Sequence, residues 1–164
     1  MNEIRNNLFV VLHNVTGVSK IIDTSQVVYG LGYQNFVVSR AEGSAAQTGI
    51  PEANRLALKM KRNFIVLPDL GDVIELLGVK RPLLMPSPLL TKERISISEL
   101  ARSLRSGERV ALVLSGSNSS FSRREMDLGD CRSLDTDVDI GPSGTAAVVL
   151  YGLSRELSTG PQSG

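Results

Sequence analysis

The sequence predicts one α/β domain built on a mainly parallel sheet with helices on both faces. Short, wholly apolar, β-branched runs recur along the chain, as strands buried on both faces require. Segments with 3.6-residue apolar spacing alternate with them, the pattern of crossover connections. No linker or internal repeat interrupts the 164 residues, so residues 1–157 are expected as a single domain, with 158–164 as a disordered tail.

The elements follow in order. "NLFVVLH" (7–13) is a buried strand. Asn14 or Thr16 is placed to cap a helix reaching about Leu31, where Gly30 and Gly32 stop it. "NFVVSR" (35–40) is the next strand, and a Gly/Ser/Ala loop (41–49) leads to a helix over 50–62 with Pro51 in its first turn. A strand at 63–68 precedes a helix at 69–78 opened by Asp69. "PLLMP" (82–86) is a short strand whose flanking prolines confine it to an edge or end. Ser96 with Glu99 opens a helix over 96–107, and "RVALVLSG" (109–116) is the clearest buried strand. A last short strand is expected within 133–141 and a last helix over 143–157.

Composition narrows the function. Net charge is +1, with no strong basic excess, and the basic clusters "KMKRN" (59–63) and "FSRREM" (121–126) read as solvated helix faces. One cysteine, Cys131, excludes an internal disulfide and a cysteine-only zinc site. No apolar run is long enough to span a bilayer, and the polar start "MNEIRNN" carries no signal-peptide pattern, so a cytoplasmic protein is expected. "SGSNSS" after the best strand lacks the lysine of a P-loop, and no G-x-G-x-x-G follows any strand, which disfavours kinases, ATPases and nicotinamide-dependent dehydrogenases.

In such sheets ligands bind beyond the carboxyl ends of the strands. That places the Gly/Ser/Asn-rich loops 14–17, 40–49, 115–122 and 141–145 at the expected site. "DTDVDIG" (135–141) is not an EF-hand loop, because Ile140 and Ala146 stand where glycine and an acid are needed. Its three aspartates read as one solvated strand face or turn; with Asp127 or Asp130 they also offer a metal-dependent nuclease site. His13, the one histidine, has no suitably spaced nucleophile and reads as a structural strand-end residue.

Four segments, in order, resemble the SpoU branch of the SPOUT methyltransferases: "HNVTGVSKIIDTSQVVYGLGYQNFVVSR", "GSAAQTGIPE", "RVALVLSGSNSSFS" and "VDIGPSGTAAVVLYGLSREL". The resemblance implies a C-terminal trefoil knot, S-adenosylmethionine as cofactor, methylation of RNA (tRNA or rRNA; ribose 2′-O or base), and a homodimer. It implies cofactor contacts from Leu114, Ser115, Gly116, Ile140, Gly141, Pro142, Ser143, Gly144 and Thr145, and substrate contacts from Lys20 and Ser44.

The sequence departs from that pattern at three places. The family's helix-start arginine falls at Asp23, its "GSEGxG" turn is "SGSNSS", and the asparagine of its final turn is replaced within "GPSGT". With Asn14 kept, the catalytic residues implied are Asn14, Asp23 and Arg40: Arg40 supplies the lost cation, or Asp23 acts as general base. Asp23 also reads as a solvated residue in the second helical turn. Two further readings stand beside methyl transfer: a non-catalytic SPOUT relative that binds RNA or cofactor, and a metal-dependent nuclease using Asp127, Asp135, Asp137 and Asp139.

Overall fold

The computed structural model describes residues 2–160. Six strands form one parallel sheet: β1 (Leu8–Val15), β2 (Asn35–Ala41), β3 (Asn63–Leu67), β4 (Arg81–Met85), β5 (Val110–Ser115) and β6 (Asp130–Cys131), in the order β3-β2-β1-β5-β4-β6. Seven helices connect and cover them: α1 (Asn2–Arg5), α2 (Val18–Gly30), α3 (Ile50–Met60), α4 (Leu70–Leu76), α5 (Ile97–Arg105), α6 (Arg123–Met126) and α7 (Gly141–Ser158). The α/β architecture is the one expected.

Strand alternation sorts the core into two layers. Leu8, Val10 and Leu12 of β1, with Phe36 and Val38 of β2, pack against Ile21, Tyr29, Leu104 and Leu150 of α2, α5 and α7. Phe9 and Val11 of β1, with Val37 of β2, face the other way onto Leu70 and Val73 of α4 and onto Phe121 just before α6. The second layer is thinner, with two short helices over it. His13 continues the odd-numbered series of β1, so its side chain emerges on that second face, beside Ser39 of β2 in register.

Several local expectations are corrected. Neither Asn14 nor Thr16 caps α2; Gly17 stands at the cap without a side-chain bond, because Asn14 still belongs to β1. The Thr16 carbonyl instead accepts from the Ala45 N–H and the Ser44 hydroxyl. The loop 41–49 contains a π-helical turn, Ala45–Gly49, running straight into α3. β4 lies one place in from the sheet edge, since the two-residue β6 pairs with Leu83 and Leu84. No strand forms over 134–140. There the Thr136 hydroxyl donates to the Val138 carbonyl and the Asp139 carboxylate accepts from Gly141 N–H, local bonds that replace a ladder. Helix α7 runs to Ser158 and the chain is described to Gly160, so only 161–164 of the expected tail lie outside the described residues. No helix among those described is long and apolar enough to cross a membrane.

Candidate functional site

Four charged or titratable side chains converge at the carboxyl ends of β1 and β2, on the thinner face. His13 arrives from β1 and is 1% exposed. Arg40 arrives from β2 in a left-handed backbone conformation, φ 50°. That region costs a side chain with a Cβ about 1 kcal/mol or more, and such strain concentrates at functional sites. Asn14 holds the equivalent position on β1 at φ 62°. Both strands therefore kink after the paired residues His13 and Ser39.

The two carboxylates come from helix starts. Asp69 caps α4 in a reciprocal capping box with Asp72, its Oδ1 accepting from the Leu70 N–H at 2.8 Å. Glu125 closes the capping box of α6: Ser122 Oγ accepts from the Glu125 N–H, and Glu125 Oε1 accepts from the Ser122 N–H at 2.8 Å. That local bond fixes the glutamate's direction and turns its other oxygen, Oε2, onto His13 Nε2. The His13 ring also lies nearly parallel to Phe121, which closes the apolar side of the site.

Arg40 joins the carboxylates. Its Nη2 donates to both oxygens of Asp69, at 2.9 and 3.0 Å, and its Nη1 lies 3.5 Å from Glu125 Oε2. His13 Nε2 is 3.9 Å from Asp69 Oδ1. The side chains of Arg40 (39% exposed) and Asp69 (50%) open the cluster to solvent, whereas His13 lies beneath it. Burial pushes the Glu125 carboxyl up, but the Ser122 N–H and the His13 ring outweigh it and hold it below the usual range. Asp69 is likewise raised by burial, then brought below its ordinary value by the Leu70 N–H, by Arg40 and by His13.

His13, Asp69 and Glu125 each offer one ligand atom, all within 4.8 Å of one another. The donor set is one imidazole and two carboxylates, a combination that holds zinc, manganese or iron with coordination positions left open. Its supports fit as well. His13 Nδ1 lies 2.8 Å from Ser39 Oγ, and a hydroxyl both donates and accepts. With a proton on Nε2 facing Glu125, Nδ1 accepts from Ser39. With an ion at Nε2, Nδ1–H donates to the same oxygen, so the exchange requires no rearrangement of the strand.

The residues singled out in the sequence divide between this cluster and other places. Arg40 enters the cluster and Asn14 lies one residue from His13. Asp23 is exposed on α2, with no ion pair among the described residues, and is not brought to Arg40. Lys20 donates to the Gly116 carbonyl and to Asn118 Oδ1, and Ser44 donates to Thr16. Leu114, Ser115, Gly141, Pro142 and Thr145 do meet around one cleft, with Ile140 and Thr145 lining an adjoining one; Gly144 packs on Ile140 and Gly116 packs on Val15. Each cleft encloses about 10 Å³, the room of a single water.

The acidic nuclease set also separates. Asp127 ends α6 and Asp135 lies near Arg94, while Asp139 is spent on Gly141. With no strand at 134–140, the three alternate aspartates share no strand face. Sequence reasoning places none of the three cluster ligands in a site: His13 reads as structural, Asp69 only as a helix opener, and Glu125 is hidden in a solvated-looking basic run. The signal for Glu125 was local: Ser122 and Glu125 have capping-box spacing.

Comparison with known proteins agrees with the fold and redirects the function. The family model described as "RecB-family nuclease (DUF2122)" matches residues 43–152. A protein of Aeropyrum pernix named "Putative type II restriction enzyme ApeKORF2002P" is 37% identical over 153 residues, covering 88% of this chain and 91% of its own. "Putative type II restriction enzyme MjaORF1200P" of Methanocaldococcus jannaschii is 28% identical over 150 residues, 92% of this chain and 98% of its own.

Among solved structures, a probable methyltransferase from Bordetella pertussis superposes with a TM-score of 0.78, covering 96% of this chain and 99% of that one at 13% identity. The SpoU methyltransferase AviRb from Streptomyces viridochromogenes gives 0.71, covering 93% and 60% at 13% identity. At such identities the likeness is one of fold. The chain therefore shares the α/β fold of these methyltransferases, but the methyl-transfer function implied by the sequence resemblance is overturned by the family model and the curated relatives.

Proposed function

The chain belongs to the RecB-family nuclease (DUF2122) family, and from that premise we propose that it hydrolyses phosphodiester bonds of nucleic acid at a divalent-metal centre formed by His13, Asp69 and Glu125. The observation that carries this reading is the convergence of those three ligand atoms within 4.8 Å, on a part-exposed face, beside an arginine. DNA is the substrate class to which a restriction-type activity belongs.

His13 Nε2, Glu125 Oε2 and an oxygen of Asp69 are the atoms that would hold the ion. A bound divalent ion supplies Lewis-acid polarisation of a phosphoryl oxygen and acidifies a bound water. Arg40 has a second task. Its planar fork matches two phosphate oxygens as well as it matches the Asp69 carboxylate, and its part-exposed head is accessible to both. An incoming phosphate would compete for the guanidinium and leave the Asp69 carboxylate free to serve as a ligand. Without ion or substrate, Arg40 keeps the two carboxylates from repelling each other.

Cleavage of plasmid DNA and of a tRNA transcript, with magnesium, manganese or zinc and with chelator, tests this directly. Metal-dependent cleavage lost in Glu125→Gln and His13→Ala is the expected result. Absence of cleavage of both substrates with every ion would overturn it, as would methyl transfer from S-adenosylmethionine by the same preparation.

A further inference from the structure

Beside the cluster, at the carboxyl ends of β2 and β3, lies a cavity of about 350 Å³ lined by Arg40, Ala41, Glu42, Ile50, Val66, Leu67 and Pro68. We propose that it is a nucleobase subsite, selective for bases that carry an exocyclic amino group; the proposal rests on the nuclease reading above. Its volume falls within the ~300–1,000 Å³ typical of small-ligand sites.

The lining has the composition a base requires. Ile50, Val66, Leu67 and Pro68 supply apolar surface for the faces of a planar ring. Val66 is 45% exposed, on the outer strand of the sheet. Glu42 also lines the cavity; it is exposed, and its carboxylate makes no hydrogen bond or ion pair among the described residues. A carboxylate accepts from the exocyclic amino groups of cytosine, adenine or guanine, whereas the one in-plane donor of uracil or thymine is the N3–H, flanked by two carbonyl oxygens that repel the carboxylate. Arg40 belongs both to this wall and to the cluster. A nucleotide whose base enters the cavity therefore brings its phosphate to the guanidinium and toward the three ligand atoms. One residue thus links base selection to the position of the bond that is cut.

The test uses the full chain, chelator and no metal, so it does not depend on cleavage. Nucleoside 5′-monophosphates of the four bases and ribose 5-phosphate are titrated while the methyl signals of Ile50, Val66 and Leu67 are followed by NMR. The guanine, cytosine and adenine nucleotides should shift those methyls and bind about tenfold more tightly than the uracil nucleotide. Glu42→Gln should flatten that preference, and Val66→Trp should block all four; both positions lie near the surface, and circular dichroism checks the fold.

Equal affinity for all four bases, binding of ribose 5-phosphate as tight as theirs, no binding, or shifts confined to other residues would each overturn the subsite. Selective binding in a chain that cuts nothing would sink the nuclease reading and leave the subsite standing. Cleavage without base selectivity would do the reverse.

Discussion

Ser39 decides what His13 can do. It is wholly buried and supplies the side-chain partner of Nδ1 among the described residues, 2.8 Å away. Ser39→Ala leaves a buried ring nitrogen without its partner, a loss of about 1–3 kcal/mol. Losing the group that orients a ligating imidazole also weakens metal binding by roughly 10–100-fold. The expected outcome is a moderately destabilised, folded chain whose zinc or manganese affinity, read by calorimetry, falls within that range. Unchanged affinity would remove Ser39 from the site.

Glu125 gives a second test, through pH. The folded state holds its carboxyl, and that of Asp69, below their ordinary values, so the unfolded chain takes up protons first as acid is added. Their stabilisation is complete above the ordinary carboxylate range near pH 4 and fades as pH falls through the lowered folded values. Denaturation of wild type and Glu125→Gln at a series of pH values should show wild type more stable at pH 7. The difference should narrow below about pH 4, and a gap that stayed constant would show that ionised Glu125 is not what stabilises the fold.

At the scale of elements, the site depends on how tightly the end of β5 passes the end of β1. A Cβ built on Gly116 would lie 2.6 Å from Val15 Cβ and 2.8 Å from the Asn14 carbonyl oxygen, while the Gly116 N–H donates to the His13 carbonyl at 2.7 Å. These neighbours are backbone or strand-anchored and cannot swing aside. Gly116→Ala should cost about 1–3 kcal/mol and disturb His13. Gly71→Ala is the control: it lies in α4 with open space around it, and should be neutral or stabilising by up to about 1 kcal/mol. Denaturation midpoints of the two variants should move apart, and equal midpoints would contradict the close passage.

The same elements show what was legible in the chain. The strands were, because burial on both faces writes itself as unbroken apolar runs such as "LFVVL". Asp69 was legible as a helix cap, since capping is a local bond. Its meeting with His13 was not, because 56 residues of chain separate them and only the parallel register of β1, β2 and β3 brings them together. Glu125 was misread for a related reason. Flanking arginines made the run look solvated, and its burial comes from a partner 112 residues away. Asp135, Asp137 and Asp139 failed the opposite way: spacing of two means a shared face only where a strand forms, and turn chemistry prevents one there.

For the whole molecule, the three ligand atoms come from widely separated points of the chain, carried by β1, α4 and α6. The face they hold together is the thinner one, covered by two short helices. An unfolded chain cannot present these atoms together, so an ion that binds them binds the native state and stabilises it by mass action. At a concentration 100 times its dissociation constant, that amounts to about 2.7 kcal/mol. For a chain of this length such a gain raises Tm by about 5–10 °C. Thermal melts in chelator and in saturating magnesium, manganese or zinc should therefore separate by that much for at least one ion. The separation should vanish in His13→Ala and persist when Asp135 and Asp137 are both changed to Asn, because that acidic loop lies outside the cluster. A shift abolished by the loop variant instead, or no shift with any ion, would remove the metal centre on which the proposed cleavage depends.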